Sequence, residues 1–319
     1  MTEFLQFMVG GLSSGAIYAL IALGWVLIFN VSNVLNLAQG EFLMLGALSF
    51  NWFHVEAGLP IGIAVLLAIL VPVVAGIVLD VVALRRLKHD QIVPMILVTL
   101  GGSFVLREIA KLQFGKDPLR HPPFVTGKPI EIFGAFLLPQ TLVVWGGTVV
   151  LLVALWMFFS RSLYGKAMRA CAENPIGATA VGISPSRMRT LSFAISAAIG
   201  AIGGILLMPL TAMSWDGGTL IGLKGFVAAV LGGMGSYPGA ALGGLVLGVL
   251  ETLGAGYISS AYKDAFALGA LLLLLLVRPQ GLLGKREDSE RKRRFLGVLG
   301  KYRAGRSPAS APAREPSQA

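Results

Sequence analysis

Five uncharged stretches of membrane-spanning length limit what this chain can fold into. They run over Phe4–Gly40, Ala57–Leu79, Ile132–Ser160, Thr190–Trp215 and Gly225–Leu250. A helix needs about 20 apolar residues to cross roughly 30 Å of hydrocarbon, and a soluble core does not need five such stretches. Only 13% of the residues are charged, whereas soluble domains carry about 25%. The sequence therefore predicts an all-α, polytopic helical membrane protein.

Clusters of Lys and Arg predict how the chain is oriented, because such clusters mark the cytoplasmic ends of membrane helices. They lie at 85–89, in the loop 161–189 and in the tail 285–319, which holds ten Lys/Arg and four Asp/Glu. Placing all three inside predicts an N-terminus outside, a cytoplasmic C-terminus and about eight transmembrane spans with broken or re-entrant helices. The expected segments are 6–29, 34–53, 60–84, 92–112, 139–160, 190–212, the broken element 225–258, and 262–280.

These spans make up one transmembrane domain, residues 1–284. The tail 285–319 is rich in Pro, Ala, Ser and basic residues, a composition typical of disorder. We expect the tail to be cytoplasmic and to have no fold of its own. Anionic lipid is the expected partner for its positive charge, and nucleic acid is not expected for a membrane-anchored chain.

A polar segment interrupts the second expected span. It contains Asn33, Asn36, Gln39, Gly40 and Glu41. Unpaired polar groups cost several kcal/mol in hydrocarbon, on the order of 2–7 kcal/mol each, so such backbone must face protein or a wet cavity. An intramembrane Glu also suggests a functional site. One interpretation is therefore a translocation path; the other is that Asn36 caps the second helix, with Glu41 in its first turns.

A second interruption lies in the broken element and contains Gly235, Ser236 and Pro238, with Glu251 further along. Transporters use discontinuous helices to present backbone groups to a substrate. These residues are therefore predicted to line the path as well. A kink that serves packing only remains an equal alternative.

Glycine is abundant, with 41 residues. Small residues spaced four apart allow close helix contact in lipid, where burial of apolar surface drives helices together only weakly. The pattern occurs at Gly11/Gly15, Gly200/Gly204, Gly235/Gly239/Gly243 and Gly244/Gly248. It predicts a tightly packed helical bundle.

A polar segment between two apolar stretches, Arg169–Arg189, contains the signals of a short helix with defined ends. Asn174 is a preferred N-cap residue and Pro175 suits the first helical position. Gly182 is placed to end the helix in the left-handed conformation, and Ser184–Pro185 repeats the start signal for the next span. A short cytoplasmic helix of this kind suits docking of another protein. An ordinary surface loop is the alternative.

This segment resembles the coupling-helix loop of ABC importer permeases, since Glu173, Ala178 and Gly182 match its Glu–Ala–Gly skeleton imperfectly. A closer resemblance is to the LivH-like class of branched-chain amino acid (LIV-type) permeases. The similar stretches are NVLNLAQGEFLMLGA (33–47), RACAENPIGATAVGI (169–183), GLKGFVAAVLGGMGSYPGAALGGLVLGVLE (222–251) and YKDAFALGALLLLLLVRPQGLLG (262–284). The resemblance covers about residues 5–284, and the basic tail departs from it.

The resemblance implies a permease subunit of an ATP-driven importer in the bacterial cytoplasmic (inner) membrane. Its implied partners are a second homologous permease, two cytoplasmic ABC ATPases and an extracytoplasmic solute-binding protein that delivers branched-chain or related amino acids. We expect no cofactor on this chain, because it lacks the G-x-x-x-x-G-K-[ST] phosphate loop; ATP and Mg²⁺ belong to the ATPases. The expected ATPase-coupling residues are Glu173, Asn174, Pro175, Ile176, Gly177, Ala178, Val181 and Gly182.

Two other transport functions are also compatible with the sequence. The same importer class could carry urea or short amides, and an ion-coupled secondary transporter could use Glu41 and Glu251. An intramembrane enzyme is not expected, because an aspartyl protease needs two membrane aspartates and Asp80 is the only aspartate more than three residues inside a predicted span. His54, His89 and His121 fall in or near predicted loops, and the chain has no H-E-x-x-H motif. No metal site is predicted, and the single cysteine, Cys171, excludes an internal disulfide.

Overall fold

The computed structural model of the chain describes residues 2–87, 92–132, 134–278 and 280–284. Its α-helices are α1 (Thr2–Ser32), α2 (Gln39–Asn51), α3 (Ile61–Val78), α4 (Ile92–Phe114), α5 (Pro139–Arg161), α6 (Leu163–Glu173), α7 (Pro175–Ala180), α8 (Pro185–Leu207), α9 (Gly217–Gly232), α10 (Tyr237–Tyr257) and α11 (Lys263–Val277). A π-helical turn, Trp52–Glu56, extends α2. Another, Leu79–Ala83, extends α3 and passes into the 3₁₀ turn Leu84–Arg86; a further 3₁₀ turn, Ser260–Tyr262, precedes α11.

A two-stranded antiparallel hairpin is the β-structure of the described residues. Strand β1 (Ile130–Ile132) pairs with β2 (Ala135–Leu137), with Glu131 opposite Phe136. The hairpin lies in the stretch predicted to be a loop outside the membrane. The predictions for His89 and for the tail 285–319 concern residues outside the described ranges.

Six helices of the described chain are long and apolar enough to cross a membrane: Thr2–Ser32, Ile61–Arg86, Val93–Phe114, Pro139–Arg161, Pro185–Leu207 and Tyr237–Tyr257. The predicted polytopic helical class is therefore confirmed. The predicted span 190–212 extends too far, because α8 ends at Leu207, whereas the start of α8 after Ser184 agrees with the predicted start signal Ser184–Pro185. The expected helix 34–53 begins only at Gln39, because residues 33–38 form an irregular segment.

Helix α1 is the centre of the bundle. Its residues from Gly15 to Leu27 are buried on every side, which is typical of a helix that is apolar all round. It packs along α10, α8 and α9. The indole nitrogen of Trp25 donates to the carbonyl of Gly222 in α9 (3.2 Å). Helix α1 is thus surrounded by protein although it is one of the most apolar segments.

Glycines bring α1 and α10 into backbone contact. A Cβ added to Gly11 would lie 2.7 Å from the Cα of Val249, and one added to Gly15 would lie 2.8 Å from the Cα of Leu245. Gly244 and Gly248 face α1 from the other side. The small-xxx-small prediction is confirmed at this interface. It is wrong for Gly235, which lies in the turn between α9 and α10 with φ 107°.

Helices α3, α4 and α5 form the periphery. Each exposes large apolar side chains, such as Leu66 (70% exposed), Leu97 (60%) and Val150 (68%). Lipid or a neighbouring membrane protein is the natural environment for such faces. The bundle therefore has a dense centre and an apolar outer layer.

The end of the bundle near the hairpin carries an aromatic cluster of Phe50, His54, His121 and Phe124. The two imidazole rings lie 5.2 Å apart, and the ring of Phe50 lies 4.8 Å from that of His121. Burial in this cluster lowers the pKa of His121, against the opposing effect of its hydrogen bond with the carbonyl of Pro122. Both histidines lie outside the regular spans, as predicted, and they act here as packed aromatic side chains.

We predict that Gly15→Ala weakens the bundle, because the added methyl group would overlap the backbone of α10. The expected loss is about 1–3 kcal/mol, the usual cost of overpacking a filled core. The measurement is the midpoint of thermal unfolding of the detergent-solubilised protein. Gly146→Ala in α5 is the matched control, since nothing lies within 4 Å of its added Cβ. An unchanged midpoint for Gly15→Ala would contradict the close helix contact.

Candidate functional site

The connection between α5 and α8 folds into two helices rather than one. The sequence predicts only α7, but α6 precedes it. Ser162 starts α6 by accepting a hydrogen bond from the backbone N–H of Gly165 (2.9 Å), and Gly165 packs directly on the backbone of Phe158. The guanidinium of Arg169 donates to the carbonyl of Phe159 (2.5 Å). Helix α6 is therefore fixed against the end of α5, and α7 follows it directly in the chain.

Both ends of α7 are capped as the sequence predicts. The Oδ1 atom of Asn174 accepts a hydrogen bond from the backbone N–H of Gly177 (3.0 Å), and Pro175 follows at the first helical position. Gly182 has φ 84°, and the N–H of Ile183 donates to the carbonyl of Ala178 (3.0 Å). This is the Schellman arrangement that satisfies the last carbonyls of a helix.

Helix α7 buries one side and presents the other. Ala178 is only 4% exposed and anchors the helix, whereas Ile176 is 85% exposed and Val181 is 75% exposed. Glu173 and Pro175 are also exposed. Ile176 on α7 and Val181 at its C-terminal end thus expose two large apolar side chains, which lie on different sides of the helix because they are five residues apart.

A buried ion pair connects the first turns of α8 to the π-turn at the end of α3. The Nε atom of Arg189 lies 2.5 Å from Oδ1 of Asp80, and both side chains are almost completely buried. The hydroxyl of Thr190 donates to the other carboxylate oxygen (2.5 Å), and Arg85 donates to the same hydroxyl (3.3 Å). Arg85, which follows Asp80 by little more than one helical turn, donates to Thr190 and is not the ion-pair partner of Asp80 in the described structure. Asp80 pairs across the bundle instead.

The segment 33–38 lacks regular structure although it lies beside the N-terminal half of α4, a helix of membrane-spanning length. Thr99 satisfies part of its backbone, because its hydroxyl donates to the carbonyl of Leu35 (3.1 Å) and accepts from the N–H of Leu37 (3.3 Å). Thr99 is seven residues into α4, or about 10 Å along it. Asn33 has φ 54° and is exposed, and Leu37 is 38% exposed. Within hydrocarbon, exposed irregular backbone of this kind requires contact with protein or water rather than with lipid.

Asn36 and Gln39 are buried just before and at the start of α2. The Oδ1 atom of Asn36 accepts from the N–H of Ala38 (3.2 Å), which is a turn before the helix, and the N-cap position is occupied by Ala38. The prediction that Asn36 caps this helix is therefore wrong in detail. Gln39 exchanges hydrogen bonds with Ser196 of α8 (2.6 Å for the bond donated by the hydroxyl).

Glu41 lies at the meeting point of α2, α4 and α9. Its Oε1 atom accepts from the hydroxyls of Ser103 (3.1 Å) and Thr219 (2.9 Å). The Nε atom of Arg107 lies 3.4 Å from the same oxygen. The carboxylate is completely buried, and its Oε2 atom has no hydrogen-bond partner among the described residues.

Three glycines let α2 and α9 touch beside this carboxylate. A Cβ on Gly222 would lie 2.7 Å from the Cα of Gly40, and a Cβ on Gly218 would lie 2.9 Å from Oε2 of Glu41. Gly40 therefore serves close packing, and the first turn of α9 covers the free carboxylate oxygen.

The break between α9 and α10 lies at the opposite end of α9. Ser236 caps α10 by accepting from the N–H of Gly239 (3.1 Å), and Pro238 follows in the first turn. Asn30 of α1 donates to the carbonyl of Gly235 (3.1 Å). Since α9 has 16 residues, or about 24 Å, the structure does not bring these residues together with Glu41.

Glu251 is the third buried carboxylate of the described residues, after Asp80 and Glu41. Its Oε1 atom lies 2.7 Å from the ammonium nitrogen of Lys224 in α9 and 3.2 Å from that of Lys263 in α11. Glu251 is completely buried. Two cations thus surround one carboxylate between α9, α10 and α11.

Sequence reasoning missed the partners of the buried carboxylates. Arg107 and Lys224 were not predicted as site residues, although a basic residue within an apolar helix is a usable signal. Among the described residues, no group of three His, Cys, Asp or Glu side chains could hold a metal ion. The polar chemistry of the bundle is therefore carried by carboxylates, hydroxyls, guanidinium and ammonium groups.

We predict that Asp80→Asn destabilises the protein by about 3–5 kcal/mol, because it leaves the buried Arg189 without its counter-charge. The measurement is again the thermal midpoint in detergent. The double variant Asp80→Asn with Arg189→Met should recover part of the loss, since both charges are then gone. The control is Glu108→Gln, because Glu108 is exposed and pairs with Lys111 at the surface. Equal effects of Asp80→Asn and Glu108→Gln would contradict a buried ion pair.

Comparison with known proteins agrees with the helical membrane fold described above. Residues 7–276 match the family described as "Branched-chain amino acid transport system / permease component". The chain is 36% identical over 303 residues to the high-affinity branched-chain amino acid transport system permease protein LivH of Salmonella typhimurium, covering 89% of this chain and 96% of the relative. It is 34% identical over 299 residues to BraD, the corresponding permease protein of Pseudomonas aeruginosa, with 89% and 97% covered.

Two more distant similarities extend this result. The chain is 27% identical over 293 residues to the permease protein LivM of Escherichia coli, which covers 84% of this chain and 68% of LivM. The solved structure of PsaBC from Streptococcus pneumoniae in complex with Fab superimposes with a TM-score of 0.51 at 12% identity, covering 87% and 92% of the two chains. This last similarity concerns the fold alone.

The family match spans most of the chain, and the six apolar helices agree with it. The chain is therefore a multi-pass protein of the bacterial inner membrane, and it belongs to the family of branched-chain amino acid transport system permease components.

Proposed function

We propose that this chain is one of two membrane-spanning subunits of an ABC importer that carries branched-chain amino acids. In this proposal the second permease is a homologue, two cytoplasmic ATPases supply the energy, and an extracytoplasmic binding protein delivers the solute. The relatives LivH and LivM are both permease proteins of one high-affinity system, which supports pairing of two similar subunits. The chain itself catalyses no reaction and binds no cofactor; ATP and Mg²⁺ bind to the ATPases.

The observation that carries the proposal is the exposure of large apolar side chains on α7. Ile176 and Val181 extend from a helix that is capped at both ends. Ala178 anchors that helix, and α8 begins three residues after Gly182. An ATPase that grips α7 would move α8, and the Arg189–Asp80 ion pair would carry that movement to α3. The coupling residues are those from Glu173 to Gly182 given above.

We propose that the side of the bundle formed by the segment 33–38, α4 and α9 faces the second permease and the translocation path. Asn33, Leu37 and Thr219 are exposed there, and irregular backbone within hydrocarbon needs protein or water beside it. Gly235–Pro238 and Glu251 belong to other parts of the bundle, so their proposed role is to shape α9 and α10 rather than to form one site with Glu41.

The proposed orientation of the protein in the membrane rests on the basic residues at the end of the bundle that carries α7. Arg85 contacts Thr190 next to α7, so these basic residues lie at one end of the bundle, which we propose is cytoplasmic. The N-terminus is then outside and the C-terminus inside, with about eight spans. The family supports amino acids over urea or short amides, and no observation favours a secondary transporter.

We predict that Ile176→Asp uncouples the importer. Loss of a central apolar anchor costs about 2 kcal/mol or more at an interface, so ATPase docking should weaken by roughly thirtyfold or more. The measurement is co-purification of the ATPases with the permeases, together with ATP-driven leucine uptake into proteoliposomes. Val125→Asp is the matched control, since Val125 is an exposed apolar residue (46%) outside the segment 161–189.

The wild-type complex should take up leucine with ATP and the control variant should do the same. Ile176→Asp should keep the normal melting temperature of the permease while both ATPase co-purification and uptake are lost. Full uptake by Ile176→Asp would overturn the assignment of α7 as the coupling helix.

A further inference from the structure

We infer that Glu41 and Arg107 form the polar end of a binding site in the translocation path that recognises the ammonium and carboxylate groups of a free α-amino acid. The inference rests on the proposed function and names the atoms that would bind the transported substrate. It concerns residues of α2 and α4, well separated from α7.

The first reason is that this charged pair is an expensive way to hold helices together. Glu41 is completely buried, and 17% of the Arg107 side chain is exposed. Buried ion pairs often stabilise a protein no more than apolar side chains of the same size would. Charges kept within a membrane bundle are therefore candidates for a role in transport.

The second reason is that both groups have bonding capacity left over. Oε2 of Glu41 and Nε of Arg107 have no hydrogen-bond partner among the described residues. The 3.4 Å between Nε and Oε1 exceeds the roughly 2.7–2.9 Å of a strong charge-assisted hydrogen bond. An ammonium group would satisfy Oε2, and a carboxylate would accept from the guanidinium.

The pairing of opposite charges identifies the class of ligand. A lone carboxylate would suit a metal cation or a proton-coupled transporter, but the guanidinium beside it disfavours a cation that brings no negative charge of its own. Urea and simple amides carry no charge to match either group. An α-amino acid carries both charges on substituents of one carbon, so its two charged groups are as close together as Glu41 and Arg107 are. Glu251 does not offer this pattern, since it faces the ammonium groups of Lys224 and Lys263.

Access to Oε2 depends on α9. Gly218 covers this oxygen, and the next residue, Thr219, is exposed while its hydroxyl binds the same carboxylate. Helix α9 is short, and it ends at Gly233 and Gly235, which have φ values of 106° and 107°. A small outward displacement of the first turn of α9 would uncover the carboxylate. The described conformation is then one in which the site is closed.

The test uses the complete transporter, with both permeases, the ATPases and the binding protein, in proteoliposomes. Leucine uptake and ATP hydrolysis stimulated by loaded binding protein are measured together, so that uptake per ATP is obtained. The variants are Glu41→Gln, Arg107→Gln and Arg107→Lys. The control is Glu108→Gln, which removes a carboxylate next to Arg107 whose pairing is with Lys111 at the surface.

Glu41→Gln and Arg107→Gln should lower uptake per ATP about ten- to a hundredfold, the range expected for losing one charge-assisted hydrogen bond. Arg107→Lys should recover part of that loss, and Glu108→Gln should behave as wild type. Unchanged uptake per ATP, or equal losses of uptake and hydrolysis at an unchanged melting temperature, would overturn the inference. If Glu41→Gln fails to assemble, the two Arg107 variants decide. A wild-type complex without ATP-driven uptake would instead overturn the proposed function.

Discussion

Hydrocarbon offers no hydrogen bonds, and this constraint explains where the chain is regular and where it is not. Most of the described bundle is helical, so its backbone is satisfied within each helix. The chain is irregular before α2 and between α9 and α10, and side chains from other helices bind the backbone at both places. Thr99 of α4 binds the segment 33–38, and Asn30 of α1 binds the turn at Gly235. The buried carboxylate of Glu41 lies just beyond the first break, so irregular backbone and buried charge occur together at the place that we propose for the translocation path.

The other helices of the bundle connect the surroundings of Glu41 to α7. Glycines allow α10 to touch α1 and allow α9 to touch α2, so the central helices have little free space in which to move independently. Helix α8 starts beside α7, pairs Arg189 with Asp80 of α3, and hydrogen-bonds Gln39 of α2 through Ser196. A displacement of α7 therefore has a continuous route of packed and charged contacts to the segment that precedes Glu41. These contacts show how a displacement of α7 would reach the segment before Glu41. The displacement itself is part of the proposed function.

Local signals in the sequence predicted local structure well. Asn174, Pro175 and Gly182 define α7 because caps and left-handed glycines act within a few residues. The membrane class followed from the length of the apolar stretches. Helix α6 was missed because it depends on packing against the end of α5. The ion pairs Arg189–Asp80 and Arg107–Glu41 were missed because their partners lie 109 and 66 positions apart, and no spacing rule reaches that far. Sequence reasoning therefore found the polar residues of α2 but not the cation that faces them.

The most direct test of this view is whether Leu37 faces lipid. Spin labels would be attached at Leu37→Cys and, for comparison, at Leu97→Cys, which is 60% exposed in the outer layer of the bundle, each in a Cys171→Ser background of the complete transporter in bilayers. The measurement is the collision rate of each label with oxygen, which concentrates in lipid, relative to a water-soluble nickel complex. A path or partner interface beside the segment 33–38 predicts clearly fewer oxygen collisions at position 37 than at position 97. Equal, oxygen-dominated collision rates at both positions would place this segment against lipid and contradict the central claim.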